Sequence, residues 1–247
     1  MKKDFYLLKG TVSKLKKGEK DDQTLLLISS ILAFFSYLFK SRPLLKGKYF
    51  TCYVGNHAVE GRVSRIAFEE GDYVEMLVKP PQDYDTYQCY AIRIPAQHML
   101  IFPRYIGMST CEFLKINFIL TTIMVVICCL VFLIISLCND ASLSYLLNVI
   151  KYSFWGWIFS IIFIFFAAGG GYSFFGNQVL ASWGYPKPWR HSVAGETIRF
   201  KKLYRAGASD IFNDPQTPEF KPLAQFKGEC DYYCKTPTLP NWLPIID

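Results

Sequence analysis

Twenty-three consecutive residues, Ile116–Cys138 (INFILTTIMVVICCLVFLIISLC), carry no charge, and no other feature limits so strongly what this chain can fold into. At 1.5 Å per residue such a helix reaches about 34 Å, enough to cross a hydrocarbon core of about 30 Å. Residues 116–138 are therefore read as a transmembrane helix. A second stretch, Tyr152–Pro186, holds no Asp, Glu, Lys or Arg. Its first part, residues 152–171, reads as a second span that opens on Tyr152, Trp155 and Trp157, where an interfacial aromatic belt is expected, and stops in the glycine run Gly169–Gly171. The short loop at 139–151 contains Asp140, and Lys151 at the span's edge is placed to snorkel. The chain's 51% hydrophobic content and mean hydropathy of +0.18 over 247 residues are the signature of these runs. That balance excludes a disordered chain and a disulfide-stapled secreted domain, and the lysine-rich start is not expected to act as a cleavable leader.

Positive charge sets the expected orientation. Of 27 Lys and Arg, seven precede residue 24, ten lie in 40–115, one is Lys151 and nine follow residue 186. The positive-inside rule then puts both termini in the cytoplasm and the 139–151 loop on the far side. A third apolar run, Gln23–Phe39, is charge-free for 17 residues, the lower limit for a span. Lys14, Lys16, Lys17 and Lys20 flank one end and Lys40, Arg42, Lys46 and Lys48 the other. One crossing would strand a basic cluster outside, so a re-entrant or interfacial segment is preferred, with Ser29-Ser30 as its bend. A third span and a buried helix of the soluble domain are the alternatives.

The soluble part reads as β structure. Residues 1–22 hold a first strand, Phe5–Val12, and a basic N-terminus; residues 40–110 hold Lys48–Val54, Ala58–Ala67, Tyr73–Val78, Tyr87–Ile94 and Met99–Phe102. These runs are rich in β-branched and aromatic residues and are separated by turn signals at 55–56, 69–72 and 80–85. The expected fold is a small antiparallel β-barrel of SH3-like or OB-like type in the cytoplasm, carried on a two-helix transmembrane hairpin. Residues 172–247 form a tail with an amphipathic helix around Asn177–Trp183. From about residue 215 it is Pro-rich, at Pro215, Pro218, Pro222, Pro237, Pro240 and Pro244, with Trp242 docking back.

Chemistry-bearing patterns are sparse. Eight cysteines form no CxxC pair, and Cys230-x3-Cys234 lacks the second ligand pair that a structural zinc site needs. His57, His98 and His191 stand far apart, and Glu69, Glu70, Asp72, Asp83 and Asp85 sit in turns beside Gly71 and Pro81. Catalytic, cofactor and metal sites are accordingly not expected, and an enzyme would have to use the turn carboxylates or Cys230 and Cys234. The densest basic patch, Arg199, Lys201, Lys202 and Arg205, follows the membrane segment closely. Together with Lys151, Trp155 and Trp157 it is assigned to lipid rather than to nucleic acid.

Residues 59–109 carry a resemblance. A strand ending in Gly61, the Phe68-x-x-Gly71-Asp72 turn, the Tyr87/Tyr90-Ala91-Ile92-Arg93 strand and the Ile101-Phe102-Pro103 closure resemble a family of bacterial membrane proteins catalogued as type VI secretion system effectors. Gln178–Pro186 is similar to its post-membrane segment. The 23–39 segment is larger and more aromatic than that family's insert. The resemblance implies a non-enzymatic inner-membrane protein of a type VI secretion locus, either an immunity or accessory protein or a membrane-acting effector. Its implied partners are the bilayer and a cognate toxin or secretion component, with oligomers left open. A membrane-anchored β-barrel scaffold for another protein is the alternative.

Overall fold

The computed structural model describes residues 5–18, 26–39, 41–80, 85–138, 143–207, 225–228 and 230–246. Lys20, Lys40, Asp83, Asp140, Pro215, Pro218 and Pro222 lie outside these residues, as does the start of the 23–39 run.

Five strands close into a barrel: β1 (Tyr6–Lys17), β2 (Lys48–Val54), β3 (His57–Val63), β4 (Tyr73–Lys79) and β5 (Thr86–Ile94). β1 is long enough to pair β4 through its first half and β2 through its second, with an irregularity between Ser13 and Lys16 that bends it from one neighbour to the other. The ring runs β1-β2-β3-β5-β4 and closes where β3 meets β5 in parallel, so the expected all-antiparallel pairing holds everywhere except at that closure. Gly61 sits opposite Cys89 in this register. A Cβ there would stand 2.9 Å from the Cys89 Cβ and 3.0 Å from the Phe50 ring, so only glycine lets the two strands approach.

The expected sixth strand, β6 (Met99–Ile101), lies outside the ring on β5. The tail adds two short strands: β7 (Asp231–Tyr232) on β6, and β8 (Ile245–Ile246) in parallel on β1 at Leu7 and Leu8. The tail therefore has more regular structure than its prolines suggested, and it occupies barrel edges in cis. Trp242 does dock back, against the apolar cluster on the barrel's outer face.

Strand alternation fills two cores. Leu8, Val12, Phe50, Val74, Met76 and Ile92 pack the barrel interior, while Leu7, Leu77, Tyr90 and Ala91 face out against Phe175, Val179 and Trp183. Those last residues come with the helices: α1 (Leu26–Leu38), α2 (Thr110–Cys138), α3 (Leu143–Ala167), α4 (Gly171–Ser182) and α5 (Val193–Arg205). α4 is buried on most sides rather than amphipathic. α5 has no counterpart among the expected elements.

Two stretches, Thr110–Ser136 in α2 and Leu147–Ala167 in α3, are long and apolar enough to cross a membrane, and they pack as a hairpin with little of either buried. α2 begins six residues before the expected span. α3 begins at Leu143 and ends at Ala167, so most of the expected 139–151 loop is helical. Lys151 consequently lies eight residues, about 12 Å, inside α3 and not at its edge. Trp157 packs edge-on against Phe118 of α2 at 5.5 Å, while Trp155 is exposed. Between the helices Asn117 Nδ2 donates to the Ile161 carbonyl at 2.9 Å, which satisfies a polar side chain inside an apolar hairpin.

Among the described residues α1 is one continuous helix of 13 residues, about 20 Å long against a hydrocarbon core of about 30 Å. The expected bend at Ser29-Ser30 is absent. Both serines are fully buried and make hydrogen bonds instead: Ser29 Oγ donates to the Leu26 carbonyl, and Ser30 Oγ accepts from Gly171 N. One face, with Ser30, Ala33 and Tyr37, lies against α4, and the other leaves Ile28, Leu32, Phe35 and Leu38 about half exposed.

Candidate functional site

The most elaborated surface feature is a groove of about 610 Å³ at the foot of the hairpin. One wall is the β6–α2 connection, which contributes Phe102, Arg104, Tyr105 and Met108; the other is α5, with Ala194, Ile198 and Lys201; Asp231 of β7 lies between them. Local sequence explains the placement. Ser192 caps α5 by accepting from Gly195 N at 3.0 Å, and Val193, Thr197 and Phe200 follow at helical spacing and are buried. Phe200 inserts between Tyr232, at 5.3 Å, and His98, at 5.8 Å. Ser192 Oγ also donates to Glu112 Oε1 at 2.7 Å, fixing the start of α5 to the first turn of α2.

The other wall is fixed to the base of α3. The Tyr105 ring stacks on Tyr172 at 6.0 Å and stands 3.2 Å from where a Cβ of Gly169 would be. Gly169 adopts φ +95, so the glycine run ends α3 as expected and lets Tyr105 approach. Thr110 completes the foot: its N–H donates to Asn177 Oδ1 at 3.2 Å, and its Oγ1 accepts from Ser173 Oγ and Asn177 Nδ2.

Asp231 is the electrostatic centre. Burial raises its carboxyl from the usual range to about 6, against the lowering effects of Thr197 and Lys201. Thr197 Oγ1 is 3.4 Å from Asp231 Oδ1 and also donates to the Tyr232 carbonyl at 3.3 Å, so the carboxylate is weakly satisfied. Gly107 lies close on its other side, where an added Cβ would stand 3.2 Å from Oδ2.

The lipid candidates divide between two places. Lys151, Trp155 and Trp157 are on α3. Arg199, Lys202 and Arg205 are exposed on α5, and Lys201 alone of that patch lines the groove, within 5.8 Å of the Tyr232 ring. Asp231, Arg104 and Tyr105 were not singled out from the sequence. The signal available was an acid enclosed by Cys230, Tyr232 and Tyr233, in a segment read for its cysteines.

The remaining candidates have structural partners. Glu70 Oε1 accepts from Leu15 N at 2.7 Å, and Asp72 Oδ2 accepts from Glu69 N at 2.8 Å, so these carboxylates hold a strand irregularity and a turn. Cys230 is buried in the barrel core, and Cys234 N donates to Glu196 Oε1. Burial and Glu196 push the Cys234 thiol up, which keeps it protonated and poorly nucleophilic. Glu196 Oε2 also meets His191 Nε2 at 2.9 Å, and His98 is a fully buried ring stacked on Tyr233 at 4.9 Å. Among the described residues no three His, Cys, Asp or Glu side chains are grouped to hold a metal ion. A second depression of about 660 Å³ is lined by Lys17, Lys48 and Arg65. All three cations are exposed, whereas the groove at the hairpin foot has a partly buried carboxylate.

The chain matches no family in a scan of protein-family descriptions, no curated protein and no solved structure.

Proposed function

We propose that this chain is a non-enzymatic integral protein of a bacterial inner membrane, a barrel held against the cytoplasmic face by a membrane hairpin and serving to bind a partner protein there. The observation that carries the reading is the contrast along α2 and α3. Leu120, Ile127, Leu130, Ile134, Phe159 and Ile162 are each at least half exposed, a sleeve that water disfavours and hydrocarbon accepts. The foot of the same helices is locked into a folded domain through Thr110, Glu112 and Tyr105. α1 supports the reading as an interfacial element, its apolar stripe lying beside α3.

The barrel's ring order and its single parallel closure favour the OB type over the SH3 type. Because the ring is closed and β8 covers part of β1, a partner would meet loops rather than an open strand edge. The resemblance of residues 59–109 extends the reading to a type VI secretion locus, with a resident immunity or accessory role preferred over a membrane-acting effector.

Two measurements test this. In single-cysteine variants retaining Cys111 or Cys138, a membrane-impermeant maleimide should reach Cys138 in spheroplasts and Cys111 only in inverted vesicles, with the chain retained after a carbonate wash. Release by carbonate, or labelling of both thiols from one side, overturns the membrane reading. Expression with an added export signal should leave growth and membrane potential unchanged for a resident protein, whereas collapse of the potential would favour the effector reading.

A further inference from the structure

We infer that the groove between α5 and the β6–α2 connection is a site for an aminophospholipid headgroup, taken from the leaflet in which the hairpin foot stands. The inference rests on the membrane reading above and adds a ligand to it. The argument is one of charge order and position.

Arg104 lies on one wall, Lys201 on the other and Asp231 between them. A phosphodiester beside a primary ammonium presents the complementary order, minus then plus. The ammonium supplies three donors to a carboxylate whose one hydrogen bond among the described residues is a 3.4 Å contact from Thr197. A choline group offers no such donor and is recognised by aromatic faces. A headgroup that is only anionic answers Arg104 and Lys201 but offers no cation to Asp231.

Position selects a lipid over a soluble phosphate ester. The wall containing Arg104 and Tyr105 leads directly into α2 at Thr110, and Ser192 ties the α5 wall to Glu112 two residues further on. Ile198, 70% exposed, and Tyr105, 38% exposed, put apolar surface in the groove, where glycerol and the first acyl carbons would follow a bound headgroup. A volume of about 610 Å³ falls within the range of small-molecule sites.

The test uses the full chain, delipidated in detergent and offered phosphatidylethanolamine, phosphatidylglycerol and phosphatidylcholine at equal concentration, with retained lipid read by native mass spectrometry. The expected result is at least about tenfold preference for phosphatidylethanolamine, lost in Asp231→Asn and in Ala194→Trp, which fills the groove from an exposed position without changing charge. Equal retention of the three lipids, or an undiminished preference in both variants, overturns the inference. So does displacement of the lipid by equimolar phosphoethanolamine, which would assign the site to a soluble ester. Failure of the carbonate and maleimide tests removes the membrane reading itself; a chain that passes them and shows no lipid preference removes only the groove's ligand.

Discussion

Gly171 N donates a hydrogen bond to Ser30 Oγ at 2.9 Å, joining residues 141 positions apart at a point where α1 and α4 approach without room for a side chain. A Cβ on Gly171 would stand 1.8 Å from the Ser30 carbonyl oxygen. This contact turns the apolar 23–39 run from an isolated segment into part of the folded base.

Gly171→Ala should therefore separate α1 from α4 and cost at least the 1–3 kcal/mol typical of overpacking, about the upper end because the opposing atom is backbone. Ser30→Ala removes one hydrogen bond and should cost about 1 kcal/mol. Urea unfolding of the full chain in detergent measures both, and equal effects would contradict the steric account.

A buried ion pair fixes the barrel to α4. Arg93 meets Glu75 through Nε and Nη2, Lys9 Nζ approaches the same carboxylate at 3.4 Å, and the guanidinium stacks on Trp183 at 4.8 Å. Glu75→Gln leaves Arg93 charged in a position only 3% exposed and should cost about 3–5 kcal/mol. Pairing Glu75→Leu with Arg93→Met should cost less than Glu75→Gln alone. A double variant worse than the single one would show that the pair contributes more than its own charge balance.

Asp231 gives the protein a pH dependence of defined sign. A carboxyl raised from 3.8 to about 6 in the folded state binds its proton more tightly there than when unfolded. Its contribution therefore favours folding below pH 4 and is lost as pH rises through 6. The full shift corresponds to about 3 kcal/mol, reduced to about 1–3 kcal/mol for a side chain that is only partly buried. Asp231→Asn should accordingly be more stable than the parent at pH 7.5, with the gap closing towards pH 4. Denaturant midpoints at the two pH values decide it, and a gap that widens on acidification would refute the assignment.

The exposed stripe of α1 should meet lipid. A spin label at Leu32→Cys, in a background lacking the other exposed cysteines, should be relaxed by oxygen more than by a water-soluble nickel chelate in vesicles. A label at Tyr53→Cys, on the exposed face of β2, should show the reverse. Preferential relaxation of both labels by the chelate would place α1 in water.

Much of this architecture was legible in the order of residues. Ile116–Cys138 announces a long apolar helix by its length alone, and the six strands from Phe5 to Phe102 are visible because side-chain alternation and turn residues are local signals. α5 could have been found from the Ser192 cap and the buried spacing of Val193, Thr197 and Phe200, had its basic residues not drawn attention to charge. What the sequence could not provide is register and long-range approach. The parallel closure at Gly61 and Cys89 and the conversion of Ser29-Ser30 from a bend into a contact depend on which segments meet. So does the groove, whose Arg104, Lys201 and Asp231 are far apart in the chain. Apolar periodicity is set by neighbours in sequence, so it determines elements; a partly buried carboxylate between two cations exists only once three elements pack, so tertiary structure alone decided the site.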